Sequence, residues 1–328
     1  MRAYNLDFTS GLFLAPLSGY TSWPMRMLCR EYGAELAYTE MISAAGLTRN
    51  TMNTAKILHR PACDTPLIAQ IFSASPEEAS LAARMIEDQG FAGIDINMGC
   101  PVKKIVSRGA GSALMTDPER ACAMAEAVVK SVKLPVSVKM RSGWDTSTLN
   151  AVELAQAFEK IGVDILILHP RTRADMYRGS PRWEVLREMK QTVGLPVVAS
   201  GDIRTASDLA ALSELGADAF MVGRGAVGRP WIFRELSGGP AATLAERKET
   251  ILRHLDMLCS LLGKTRGVRH MRKFISSYVK GLHGASHFRP LACTIDDPEQ
   301  LKKSICEYFA GVEALDPDSE PSPADPGE

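Results

Sequence analysis

The sequence contains no apolar run approaching the roughly 20 residues that a membrane-spanning helix needs. Its opening, MRAYNLDFTSGLFLAP, has a short hydrophobic stretch without a cleavage pattern. A cytoplasmic location without a membrane partner is therefore expected. No C-x-x-C pair occurs among the seven cysteines, at positions 29, 63, 100, 122, 259, 293 and 306. That argues against zinc, an iron–sulfur cluster or a redox dithiol, so no metal is expected. The odd count reads as free thiols in a reducing compartment. Net charge is lacking too, with 38 Lys+Arg against 38 Asp+Glu, which taken as an average argues against a nucleic-acid partner. The average hides a segregation, however. From Lys264 to Arg289 there are seven basic residues and no acid, and from Glu313 to Glu328 six acids and no base. Charge alone leaves two readings open, a solvated helix face followed by an acidic tail or an RNA footprint.

What is present is an ordinary globular composition. The chain's 328 residues, 45% hydrophobic and 23% charged, suffice for one large domain and a smaller one. A repeated unit emerges along it. Gly33, Gly162 and Gly216 each stand where a helix should stop, just before an apolar run. Pro66, Pro135 and Pro196 open three other apolar runs, where a missing N–H costs no ladder bond. Eight short strands are predicted, near 12–16, 36–40, 67–72, 93–97, 135–140, 164–169, 196–200 and 218–222. Helical patterns fill most of the intervals. The clearest covers 76–89, with Ser75 as N-cap, Pro76 in the first turn and Gly90 as stop.

This alternation fits a closed (β/α)8 TIM barrel or a doubly wound open sheet. Polar residues at the strand ends favour the barrel. Ser18, Glu40, Gln70, Asn97, Lys139 with Arg141, His169 with Arg171, and Asp202 come from seven strands, and only a barrel gathers seven strand ends on one rim. The expected organisation is an α/β TIM barrel over 1–236, a linker over 237–243 around Ser237-Gly238-Gly239-Pro240, a small all-helical domain over 244–312, and an acidic, disordered tail over 313–328. Helical patterning in the second domain covers roughly 244–263, 268–283 and 297–311.

Four segments carry chemistry. Gly223-Arg224-Gly225-Ala226-Val227-Gly228 formally matches G-x-G-x-x-G, but no strand follows it as a dinucleotide-binding unit requires. After an eighth barrel strand, and with Ser200-Gly201-Asp202 supplying the seventh loop, it is read as a phosphate cradle in preference to plain turn glycines. In Asn97-Met98-Gly99-Cys100-Pro101 the flanking Gly and Pro preclude regular structure, so Cys100 sits in a strand's exit loop. Its thiol could donate a proton or, deprotonated, act as a nucleophile. By contrast Cys29, Cys122, Cys259 and Cys306 lie in helical apolar patterns and read as small buried hydrophobes. Lys139 and Arg141 share one strand face. For Lys139 the readings are a partner for an anionic cofactor locus or phosphate, and a lysine at the solvated rim. His169 is either functional or a strand-end residue satisfying backbone groups.

Six blocks, LAPLSGYTSWPMRMLCREYGAELAYTEM, INMGCPVKKIVSRGAGSAL, VKMRSGW, HPRTR, SGDI and VGRGAVGRPWIF, resemble in order and spacing those of bacterial tRNA-dihydrouridine synthases, most like the DusB branch. The likeness runs from about residue 10 through 312. It implies an FMN-dependent enzyme that reduces uridines of tRNA with NADPH, hydride passing from reduced FMN to C6. It further implies FMN contacts from Pro16, Leu17, Ser18, Gln70, Lys139, His169, Ser200, Gly201, Asp202, Gly223 and Arg224. Asn97 and Arg141, with Arg171 beside them, are expected on the substrate side, and Cys100 as the acid that protonates C5. The basic stretch would hold RNA through Arg269, Arg272 and Lys273, with Tyr278, His287 and Phe288 available for stacking. Family members carry PMAG where this chain has Pro16-Leu17-Ser18-Gly19, Asn where Ser200 stands, and HGRT in place of His169-Pro170-Arg171-Thr172. Pro170 is the most consequential departure, since it removes an N–H beside the expected flavin. The alternatives are a small-molecule FMN barrel of the dihydroorotate dehydrogenase type and a non-catalytic tRNA-binding protein. A monomer is expected.

Overall fold

The structure, a computed structural model, describes residues 1–315; most of the acidic tail, from 316 on, lies outside them. The chain divides into two compact units, one of Met1–Arg26 with Ala34–Gly223, the other of Met27–Gly33 with the chain from Arg224 on.

The first unit is a closed barrel of eight parallel staves: β1 (Leu12–Leu14), β2 (Leu36–Tyr38), β3 (Leu67–Phe72), β4 (Gly93–Met98), β5 (Val136–Gly143), β6 (Ile165–Thr172), β7 (Val197–Ser200) and β8 (Ala219–Val222). Each pairs with its sequence neighbour, and β8 returns to β1 through Met221 opposite Phe13. The second stave is interrupted. Its continuation, Ile42–Ser43, pairs with Ile71 and Phe72 farther along β3, and between the two pieces Glu40 accepts the backbone N–H of Gly19.

Helices occupy the intervals as their caps dictate. In Pro76–Glu87 and Pro118–Val129, Ser75 and Asp117 accept the N–H groups of Glu78 and Arg120 at 3.2 and 3.1 Å. Thr205 forms a full capping box with Asp208. Gly33, Gly162 and Gly216 adopt φ of 108°, 96° and 93°, which β-carbon sterics disfavour in other residues.

Strand side chains alternate, and one parity lines the barrel. Phe13, Leu36, Tyr38, Ile68, Ile165, Ile167, Val198 and Met221 make a single buried cluster, joined by Tyr4 and Phe8 from the two-stranded ribbon of Arg2–Ala3 and Leu6–Asp7 and its flank. Following the same parity toward the C-terminal rim gives Gln70, Asn97, Lys139, Arg141, His169, Arg171, Ser200 and Gly223. The hydrophobic floor and the polar rim are thus successive layers of one set of inward positions.

β5 and β6 run farther than their sequence pattern suggested, to Gly143 and Thr172. Pro170 lies inside β6 because the ladder shifts register there, from Arg141 opposite His169 to Gly143 opposite Thr172. The bulge leaves one residue facing two, so the N–H that proline lacks is not required.

In the second unit four helices follow the short Ile232–Leu236: α1 (Leu244–Leu262), α2 (Lys264–Tyr278), α3 (Ala285–Thr294) and α4 (Pro298–Leu315). The sequence suggested three. α3 escaped notice because Pro290 stands within it, and α4 extends through Glu313, which had been expected in the tail. Gly267 lets α1 and α2 cross closely, since a Cβ there would lie 2.6 Å from the Cys259 backbone. Trp231, 2% exposed, packs on Tyr278 and Tyr32 at ring distances of 6.0 and 6.2 Å.

Candidate active site

A polar relay occupies the top of the barrel. Asp95, in the middle of β4, has no exposed surface. It accepts Ser137 Oγ through Oδ1 and Gln70 Nε2 through Oδ2, the latter at 2.7 Å. The Oε1 of Gln70 accepts Asn97 Nδ2 at 2.9 Å. Asn97 Oδ1 in turn accepts the backbone N–H groups of Gly99 at 3.3 Å and Cys100 at 2.9 Å. The exit loop of β4 is fastened on its other side by Ser112, whose Oγ donates to the Cys100 carbonyl at 2.9 Å.

Arg141 ties this loop to the next but one. Nε donates to the Gly99 carbonyl at 2.8 Å, and Nη1 to the carbonyls of Thr172 and Met176 at 2.8 and 2.7 Å. Three of its five N–H groups are so engaged, and its guanidinium lies 5.5 Å from the ring centre of Tyr177. Arg171, 2% exposed, donates to the carbonyls of Arg178 and Gly179 and forms an ion pair with Asp202. Its Nη1 lies 3.5 Å from His169 Nε2. Gly201, with φ of 127°, lies beneath the His169 ring.

The electrostatics follow from enclosure. Burial pushes the Cys100 thiol up, against the pull of the Val102 N–H and of the Arg141 and Lys139 cations. That direction favours the protonated form of the thiol. Burial also pushes the Asp95 carboxyl up and the Lys139 ammonium down, each opposed by the charge of the other.

Pro16 and Leu17 are half-buried and Ser18 exposed at the end of β1, and the Leu17 N–H already donates to Thr21 Oγ1 at 2.9 Å. Ser200 is 6% exposed. Gly223 closes the first unit and Arg224, exposed, opens the second.

The dihydrouridine synthase (Dus) family matches residues 13–312. The chain is 39% identical over 321 residues to a probable tRNA-dihydrouridine synthase of Rickettsia typhi, covering 94% of this chain and 97% of that protein. It is 38% identical over 307 residues to tRNA-dihydrouridine synthase B of Pseudomonas aeruginosa, covering 91% and 92%. This chain belongs to the dihydrouridine synthase family. It is thus an enzyme of the oxidoreductase class. Among solved structures, morphinone reductase superposes with a TM-score of 0.51 at 13% identity, over 71% of this chain and 87% of that one. A variant of NCR from Zymomonas mobilis does so with 0.51 at 16%, over 71% and 88%. At such identities these two speak for the barrel fold alone.

Within this dihydrouridine synthase, sequence reading singled out Gln70, Asn97, Cys100, Lys139, Arg141, His169 and Arg171, and the barrel brings all of them to one rim. It passed over Asp95, Ser137 and Tyr177. An acid inside the apolar run Ile94-Asp95-Ile96, two residues before Asn97 and so on the same strand face, was the available signal for the first. In the helical unit one expectation needs correction. Tyr278 and Phe288, expected to stack on bases, are 1% and 5% exposed; Tyr278 bonds His254 at 3.0 Å and Phe288 stacks on Tyr308 at 4.2 Å. Apolar residues at helical spacing between cations were facing the core. Arg269 and Arg272 both pair with Asp296, at 3.0 and 2.7 Å. Of the cysteines read as buried, Cys29 is; Cys122 and Cys259 are half-buried and Cys306 is exposed. Among the described residues no cluster could hold a metal ion, and no helix is long and apolar enough to cross a membrane.

Proposed function

We propose that this enzyme saturates the C5–C6 bond of a uridine in tRNA, with FMN as resident cofactor, NADPH as reductant and Cys100 as the acid. The observation that carries this reading is the exit loop of Cys100, held through its backbone by Asn97 and Ser112 at the inward-facing ring of polar side chains.

The residues present suit a flavin mononucleotide. Lys139 is a largely enclosed cation whose charge burial disfavours, so an anionic or electron-rich partner would relieve it. Gln70 and His169 share its layer, and Ser200, Gly201, Asp202 and Gly223 offer a small-residue cradle for a phosphate, with Pro16, Leu17 and Ser18 lining the adjoining stave. Bound and reduced, FMN would supply the hydride for C6 of the base.

The remaining steps fall to the protein. A uridine must leave its stack, at a cost of a few kcal/mol. Arg141 and Asn97, already anchored to the Cys100 loop, would fix the base edge. As the C5–C6 π bond is lost, the proton leaves Sγ for C5, and the thiolate regains one from solvent. Lys139 and Arg141 stabilise that transient thiolate, since both already favour the charged form of Cys100. Arg269, Arg272 and Lys273 would contact RNA phosphates.

Replacing Cys100 with Ala tests the assignment. The variant should purify yellow, accept electrons from NADPH, and form little dihydrouridine on unmodified tRNA. Wild-type turnover would remove Cys100 from the role, and equal turnover of free uridine by the wild type would remove tRNA as substrate.

A further inference from the structure

The relay beneath the Cys100 loop has a direction. Gln70 and Asn97 carry amides whose oxygen and nitrogen ends have nearly the same shape, so packing alone does not choose between their two orientations. Chemistry does, starting from the one member that has no donor. Oδ1 of Asp95 accepts from Ser137 and Oδ2 from Gln70; burial pushes the carboxyl up, while these two bonds and the Lys139 charge favour its ionised form. Gln70 must therefore turn its NH2 down toward Asp95 and its oxygen toward Asn97. Asn97 must then present its NH2 to Gln70 and its oxygen to the N–H groups of Gly99 and Cys100. Reversing either amide would set donor against donor inside a buried site.

We infer that Asp95 is the positioning residue of the active-site loop, fixing the place of the Cys100 thiol from two side chains away by dictating the sense of the Gln70–Asn97 relay. The Lys139 charge opposes part of the burial cost of the carboxylate, beside the Ser137 and Gln70 bonds. The consequence for catalysis rests on the function proposed above. With the relay cut, proton delivery to the base slows more than reduction of the flavin does.

The test reads the loop itself, independently of tRNA. Site-resolved alkylation of the purified flavoprotein with iodoacetamide measures Cys100 against the six other cysteines. Asp95→Ala and Asn97→Ala should each speed Cys100 alkylation about tenfold, the factor that corresponds to losing one buried hydrogen bond, and leave the other six cysteines at their wild-type rates. Because both cut one chain, the double variant should be no faster than either single, whereas unconnected effects would multiply. Asp95→Asn should restore the wild-type rate, since its oxygen can accept from Gln70 while its NH2 donates to Ser137. If Asp95→Ala does not accumulate as folded protein, Gln70→Met, compared at matched flavin content, severs the next link and should give the same increase. Wild-type alkylation in Asp95→Ala or Gln70→Met, or multiplying effects in the double variant, would overturn the inference. Retained alkylation behaviour in a protein that forms no dihydrouridine would instead overturn only the assigned reaction.

Discussion

Gly201 lies so close under His169 that a Cβ on it would stand 2.7 Å from His169 Cδ2 and 3.1 Å from Nε2. Its φ of 127° is itself open only to glycine without strain. Gly201→Ala should therefore cost about 2 kcal/mol and displace the imidazole. Urea denaturation and flavin absorbance of the purified protein would measure both effects. Gly223→Ala is the contrast. Its Cβ would meet Ala15 Cβ at an ordinary 3.6 Å, so stability should be unchanged and any loss of flavin would report on the proposed phosphate cradle.

Arg26 and Asp64 form an enclosed pair, their side chains 1% and 0% exposed and 2.6 Å apart. Removing one partner strands a charge, and Asp64→Asn should cost about 3–5 kcal/mol. The double replacement Arg26→Met with Asp64→Leu should recover most of that loss. Chemical denaturation of the three variants checks it, and equal losses in single and double would show that the pair itself is not what matters.

His254 is wholly buried, bonded through Nδ1 to Tyr278. Burial, with help from His270 and Lys273, pushes its pKa down to about 3 from an ordinary 6.5. Between those values the unfolded chain binds the proton and the folded chain does not, so stability rises with pH there. His254 thus imposes no penalty above pH 6.5, and a growing one as pH falls from 6.5 toward 3. At pH 5 the penalty is about 2 kcal/mol relative to pH 7. In His254→Gln, which can still bond Tyr278, the gap in stability between pH 7 and pH 5 should shrink by about that amount.

The forked contact of Arg269 and Arg272 with Asp296 is solvent-exposed and therefore weak. A phosphate can compete for it. Asp296→Asn should tighten tRNA binding, while neutralising Arg269, Arg272 and Lys273 together should weaken it and flatten the log–log salt dependence by roughly 2 to 3. Filter binding across a salt series would decide, and an unchanged slope in the triple variant would place RNA on another surface.

The barrel was legible because its grammar is local. Glycine stops such as Gly162, proline entries such as Pro135 and caps such as Ser75 each act within a few residues. The rim was legible because inward parity continues from floor to rim, so Gln70, Asn97, Lys139 and His169 announced themselves as polar residues on otherwise apolar strands. What escaped depended on partners distant in sequence. Tyr278 and Phe288 read as exposed among cations until helix packing turned them inward, and Asp296 reached Arg269 from 27 positions away. Asp95 escaped because its importance lies in connection to Gln70 and Ser137, which strand pairing alone creates.

The chain passes between the two units three times, after Arg26, after Gly33 and after Gly223. A fragment cut at Gly223 would keep Leu28 and Cys29, both fully covered in the intact chain, while discarding the rest of the unit to which they belong. Such a fragment would expose a sticky heptapeptide in mid-sequence, and poor solubility on its part would report a misplaced cut. Isolating the barrel requires replacing that heptapeptide as well, so gene-level dissection of this enzyme is an exercise in excision rather than truncation.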